Sequence, residues 1–195
     1  AHGPMRQAAR QVGAGLVAVS PWRLQQRTDP ASCAALTDAL ACTRVIFTSP
    51  AAVEAAAALA PLAGTPDAPL LAVGAGTADS LRQHGARHVL APDRMDTEGL
   101  LAMPQLAEVM GVAIGLVTAP EGRGLLAATL QAAGATVCRA DVYERHFLAL
   151  SPRRVASLRV LPARSVLAVS SGAALDHVMR QLPADVAAHW RQRPL

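Results

Sequence analysis

The 195-residue sequence contains no lysine, so all 18 of its Lys+Arg positions are arginine, set against 14 Asp+Glu. Its formal net charge of +4 therefore sits on guanidinium groups. Such groups grip carboxylates and phosphates in a bidentate fork, although a bias toward Ala, Arg and Gly produces the same charge with no ligand in view. The arginines fall singly or in the pair Arg153-Arg154, without a basic helix face or interleaved aromatics. That pattern argues against a nucleic-acid surface. Aromatics make up 3% of a chain that is 52% hydrophobic, so the core must be built from Ala, Leu and Val. No apolar run approaches the ~20 residues that span a bilayer, and no signal-peptide pattern opens the sequence. Cys33, Cys42 and Cys138 form an odd set without metal-ligand spacing, which fits a reducing compartment. The expectation is a cytoplasmic protein with no membrane segment, no metal and no cofactor.

Helical and strand patterns alternate along the chain, which points to an α/β fold with largely parallel sheets. Helices are expected over residues 5–12, 32–41, 51–62, 77–84, 122–133, 152–160 and 171–182, with a further one beginning near Thr97 as its cap. Strands are expected over 16–19, 44–48, 70–73, 88–90, 112–117, 137–142 and 166–169. Two extended polar segments, residues 21–27 and 139–146, flank the middle of the chain. Paired, they form a two-stranded hinge between a middle domain (28–138) and a discontinuous terminal domain (1–20 plus 147–195).

The richest local signal is Val45-Ile46-Phe47-Thr48-Ser49-Pro50-Ala51-Ala52-Val53. Three apolar residues read as a buried strand, Thr48 and Ser49 place hydroxyls at its carboxyl end, and Pro50 suits a helix start. Ligands bind at that edge of open α/β sheets, where helix N-termini leave N–H groups unpaired. Similar turns occur at Val73-Gly74-Ala75-Gly76-Thr77 and Val117-Thr118-Ala119-Pro120-Glu121-Gly122-Arg123-Gly124. Ser170-Ser171-Gly172 repeats the hydroxyl turn in the terminal domain.

Gly74-Ala75-Gly76 starts like a dinucleotide fingerprint, but Asp79 stands where the third glycine belongs; a tight strand-to-helix turn explains it as simply. Glu121-Gly122-Arg123-Gly124 lacks the lysine and the length of a P-loop. It reads equally as a flexible helix start or as an anion contact through Arg123 and backbone amides. The histidines are dispersed, and no Ser-His-Asp or Cys-His set can be assembled. Tyr143, the single tyrosine, lies on a proposed hinge strand. A phenol keeps its proton at neutral pH and can donate to a leaving oxygen; alternatively the ring merely covers the hinge.

Taken together, these segments resemble the uroporphyrinogen-III synthase family. The resemblance rests on Ile46-Phe47-Thr48-Ser49-Pro50, Val73-Gly74-Ala75-Gly76-Thr77-Ala78, Glu98-Gly99-Leu100-Leu101, Gly122-Arg123-Gly124-Leu125-Leu126, Val142-Tyr143-Glu144-Arg145 and Val169-Ser170-Ser171-Gly172, in the family's order. It implies two flavodoxin-like α/β domains joined by a two-stranded ladder, with hydroxymethylbilane held in the cleft between them. It further implies cofactor-free cyclisation of that linear polycarboxylate to uroporphyrinogen III, with loss of water and inversion of ring D. On this resemblance Tyr143 is the catalytic candidate. Thr48, Ser49, Gly74, Gly76, Thr77, Gly122, Arg123, Ser170 and Ser171 are the substrate-binding candidates. The protein is expected to be a monomer that receives its substrate from hydroxymethylbilane synthase. Measured against the family's pattern, the chain begins after the opening strand and stops about 45 residues short, a sizeable part of one domain's core. The competing expectation is a non-catalytic two-domain binder of an anionic small molecule, or an inactive fragment of the enzyme.

Overall fold

The computed structural model describes residues 3–64, 68–120, 124–162, 164–169 and 172–191. In chain order its elements are α1 (Gly3–Gln11), β1 (Trp22–Gln26), α2 (Pro30–Leu40), β2 (Arg44–Phe47), α3 (Pro50–Ala57), β3 (Leu70–Ala72), α4 (Ala75–Gln83), β4 (Val89–Leu90) and α5 (Thr97–Leu101). A 3-10 turn at Pro104–Leu106 precedes β5 (Ala113–Thr118), α6 (Leu125–Ala132), β6 (Thr136–Asp141), β7 (Tyr143–Phe147), α7 (Pro152–Arg159), α8 (Gly172–Gln181) and α9 (Ala184–Arg191).

The chain divides into two compact units, residues 24–145 and residues 1–23 with 146–195. The first holds a five-stranded sheet of order β4-β3-β2-β5-β6 in which every pairing is parallel. Its central strands are unbroken apolar runs, as burial on both faces requires. Alternation then divides the side chains between two cores. Val45 and Phe47 pack in one cluster with Leu36, Val53, Leu81 and Tyr143, while Ile46 joins Leu71, Leu100, Ile114, Leu116 and Leu130 in the other. Gly115 lets α2 approach β5 closely, because a Cβ there would lie 2.0 Å from the Ala39 carbonyl oxygen.

Helix starts follow the cap chemistry written in the sequence. Asp29, Ser49 and Ser151 cap α2, α3 and α7 with side-chain oxygens, and Pro30, Pro50 and Pro152 open those helices. The cap of α5 is Asp96, whose carboxylate accepts the Gly99 amide at 2.8 Å, and Thr97, expected as the cap, is the first helical residue. Gly85 and Gly134, at φ of 90° and 87°, follow α4 and α6 in the left-handed conformation that ends helices. The helix expected over 51–62 stops at Ala57.

β1 and β7 form a two-stranded sheet. Arg27 donates its amide to the Val142 carbonyl at one end and Leu148 to that of Pro21 at the other, so the strands run antiparallel. Residues 139–141, expected in the second hinge segment, belong instead to β6 in the parallel sheet. The other unit packs Leu158, Val178, Leu182, Val186, Ala187 and Trp190 together, and the Trp190 indole donates to the Leu158 carbonyl. Its expected parallel strands at 16–19 and 166–169 are absent: among the described residues both stretches are irregular. Two four-residue strands make a marginal sheet, and Val166 is 75% exposed, so burial on two faces is not available to stabilise a parallel pair.

Candidate functional site

β2 is the point at which the sheet's order turns: the chain leaves it toward β3 and β4 on one side, then returns to lay β5 and β6 on the other. In open α/β sheets ligands bind outside the carboxyl ends of the two strands flanking such a switch point, and here those strands are β2 and β5. Thr48 follows β2 and Thr118 ends β5, and the Thr48 hydroxyl donates to Thr118 Oγ1 at 2.9 Å. The Thr48 amide donates to the Val117 carbonyl, which fixes the residue one step beyond the strand.

Ser49, next in line, has extended backbone, and its Oγ accepts the Ala52 amide at 3.1 Å as the α3 cap. The same oxygen lies 3.2 Å from the Tyr143 hydroxyl, and either atom can be the donor. Tyr143 is set there by its neighbour. Val142 donates its amide to the Thr118 carbonyl and accepts the Arg27 amide, so the chain is pinned on both sides where it leaves β6 for β7. The tyrosine ring is 6% exposed and belongs to the first hydrophobic cluster, leaving the phenol oxygen as its polar end.

α4 starts beside α3, since a Cβ on Gly76 would lie 3.9 Å from Pro50 Cγ. Its cap residue Gly74 is extended and supplies no side-chain bond. Met95 covers Gly74, whose added Cβ would come within 3.2 Å. Thr77 is buried at 3% exposure. Contrary to the expectation of an unpaired amide, Thr77 and Ala78 both donate to the Gly74 carbonyl, which leaves Ala75 and Gly76 as the first-turn donors. The structure thus places two hydrogen-bonded pairs, Thr48–Thr118 and Ser49–Tyr143, on consecutive residues after β2, with Gly74 and Gly76 at the turn into α4. Gly122, Arg123, Ser170 and Ser171 lie outside the described residues.

Two contributors are not among the candidate residues read from the sequence, although the turn holding Thr118 is. Thr118 repeats the strand-then-hydroxyl pattern that singled out Thr48, so the signal was available. Arg139 Nη2 donates to the Ala119 and Pro120 carbonyls at 2.8 and 3.2 Å while Nε pairs with Asp141 at 3.0 Å. It braces the turn that follows β5. Burial, then its neighbour Cys138, pushes the Cys42 thiol up to about 11. No helix among the described residues is long and apolar enough to cross a membrane.

Solved structures share this fold. A mutant uroporphyrinogen III synthase from the extremely thermophilic bacterium Thermus thermophilus aligns with a TM-score of 0.60 at 18% identity, covering 98% of this chain and 78% of that one. Uroporphyrinogen-III synthetase from Helicobacter pylori 26695 aligns at 0.53 and 19% identity, over 83% and 70% of the two chains. No curated protein matches the sequence. The family model described as uroporphyrinogen-III synthase HemD, however, matches residues 3–193. That match takes in both units and all the residues gathered at the switch point, and by it the chain belongs to the uroporphyrinogen-III synthase family.

Proposed function

We propose that this chain performs its family's reaction, the cyclisation of hydroxymethylbilane to uroporphyrinogen III, at the carboxyl edge of β2 and β5 with Tyr143 as the proton donor. The observation that carries this reading is the Ser49–Tyr143 hydrogen bond at the switch point. Ser49 already accepts from the Ala52 amide. When its own O–H donates to the phenol oxygen, the Tyr143 proton is free for the substrate's terminal hydroxymethyl group. The C–O bond breaks, the departing oxygen takes that proton and leaves as water, and the pyrrole nitrogen's electron pair stabilises the electrophilic methylene left behind. Negative charge developing on Tyr143 is met by the Ser49 hydroxyl.

The methylene must then be attacked by the substituted carbon of ring D, giving a spiro intermediate that reopens and closes with that ring inverted. Free closure gives the type I isomer, so the enzyme's task is mainly to hold one flexible molecule in an improbable geometry. The amides of Ala75 and Gly76 supply donors for acetate and propionate groups, supported by the positive ends of α3 and α4, and Thr77 adds a hydroxyl; the Thr48 and Ser49 hydroxyls, whose protons go to Thr118 and Tyr143, position that edge. Ser170, Ser171, Gly122 and Arg123 complete the proposed set. The three free cysteines accord with a cytoplasmic setting, where a monomer would take the substrate from the synthase that assembles it.

The test is a coupled assay in which hydroxymethylbilane is generated freshly by its synthase and the oxidised products are resolved by isomer. Type III product is expected. Type I product alone, at the spontaneous rate, refutes the reading.

A further inference from the structure

Every pairing in the sheet is parallel, so the chain leaves β4 at the same carboxyl edge that carries Thr48 and Gly74. The loop that follows β4 holds Met95, whose Cβ and Cγ lie against Gly74: a Cβ built on that glycine would come within 3.2 and 3.5 Å of them. Met95 is nonetheless 63% exposed and joins neither hydrophobic cluster of residues 24–145.

The loop fixes this exposed side chain in place. The Asp96 amide donates to the Arg94 carbonyl at 2.9 Å, which makes Met95 the middle residue of a tight three-residue turn. Asp96 also caps α5 through the Gly99 amide, and the Arg94 guanidinium pairs with both Asp96 and Glu98. Gly99 packs so closely that a Cβ on it would overlap the Arg94 carbonyl oxygen. A turn braced in this way, with a large apolar side chain at its tip that adds to no core, suits contact with an apolar part of a ligand. Its place says which part. Ala75 and Gly76, whose amides are the donors for acetate and propionate groups, directly follow Gly74. Those arms are short, so a carboxylate held on these amides brings its pyrrole ring to the level of Met95.

We propose that Met95 is a substrate-contacting, specificity-determining residue, its thioether the apolar wall against which one pyrrole ring of hydroxymethylbilane packs. This rests on the reaction proposed above. Methionine suits the task because its unbranched side chain adapts to a ring that shifts during closure, and its sulfur meets aromatic rings favourably. A contact made equally before and during the reaction lowers KM and leaves kcat alone.

The coupled isomer assay, run over a range of hydroxymethylbilane concentrations, tests the contact. Met95→Gln keeps the length of the side chain and removes its apolar character; KM should rise about three- to tenfold with kcat unchanged. Met95→Leu should stay near the wild type. Met110→Gln, at an 83% exposed methionine that precedes β5 at the opposite edge of the sheet, should not alter KM. All three variants should keep the wild-type urea midpoint. An unchanged KM in Met95→Gln, an equal rise in Met95→Leu or Met110→Gln, or a lowered urea midpoint in Met95→Gln would each overturn the inference while wild-type type III product still upholds the reaction. Type I product alone from the wild type overturns the reaction, and this contact with it.

Discussion

Ser49 serves two neighbours through one oxygen, capping α3 through the Ala52 amide and holding the Tyr143 phenol, and the two duties can be separated experimentally. Tyr143→Phe removes the phenol oxygen and leaves the cap intact. Its turnover should fall about 100-fold, the scale of a lost general acid, while KM changes little; porphyrin production followed by isomer-resolved chromatography measures both. Ser49→Ala loses the cap as well, at about 1 kcal/mol, so its urea midpoint should drop along with its rate. Ser49→Thr, which keeps a hydroxyl in place, should restore both. A rate unchanged in Tyr143→Phe removes that residue from the mechanism. At this scale Thr48, Ser49 and Tyr143 could be read from the sequence because a strand ending in hydroxyls, and a lone tyrosine on a polar strand, each carry a chemical reason. The Thr48–Thr118 bond could not. It depends on β2 lying beside β5 in a register that pairs Phe47 with Val117, across 70 residues of chain.

Two of the helix caps in the larger unit are carboxylates, which ties these elements to pH. Hydrogen bonds from Ser32, side chain first and then amide, hold Asp29 below its ordinary value near 3.8. The Gly99 amide, followed by Arg94, does the same for Asp96. A depressed folded-state pKa gives stability that is present above the unfolded value and lost as pH falls through the folded one. The wild-type urea midpoint should therefore decline as pH is lowered from 5 to below 3.8. Replacing both residues by serine, which caps without titrating, should flatten that decline; parallel curves would show that the caps do not titrate with folding. Packing gives a second expectation. Gly115→Ala would drive a methyl against the Ala39 carbonyl oxygen, a backbone atom that cannot swing away. It should destabilise the protein by about 1–3 kcal/mol, measured by urea unfolding. The strands were readable as apolar runs, but α3 ends early for a reason its own alanines hide. Pro61 disfavours helical backbone at the residue before it, and Leu59 and Ala60 already close turns onto Ala56.

Across the whole molecule, the parallel sheet and both larger hydrophobic clusters lie in residues 24–145, while residues 1–23 and 146–195 share the single cluster around Leu158 and Trp190. The sequence foretold two similar sheets because Leu16-Val17-Ala18-Val19 and Val166-Leu167-Ala168-Val169 read as buried strands. Apolar spelling alone does not supply a second face to bury against, and Val17 and Val169 are 37% and 42% exposed. Burial drives folding in rough proportion to apolar area, so the discontinuous unit should be the weaker of the two. The chain carries its own reporters for this difference. Both tryptophans, Trp22 and Trp190, fall in the discontinuous unit, whereas Tyr143 falls in the other. Tryptophan fluorescence should therefore lose its native signal at a lower urea concentration than far-UV circular dichroism, to which the helices of 24–145 contribute heavily. Two-state unfolding demands coincident probes, so a single shared midpoint would contradict the expected order. Residues 24–145 expressed alone, with no tryptophan, should retain the later transition, because the clusters that stabilise it lie wholly within that span.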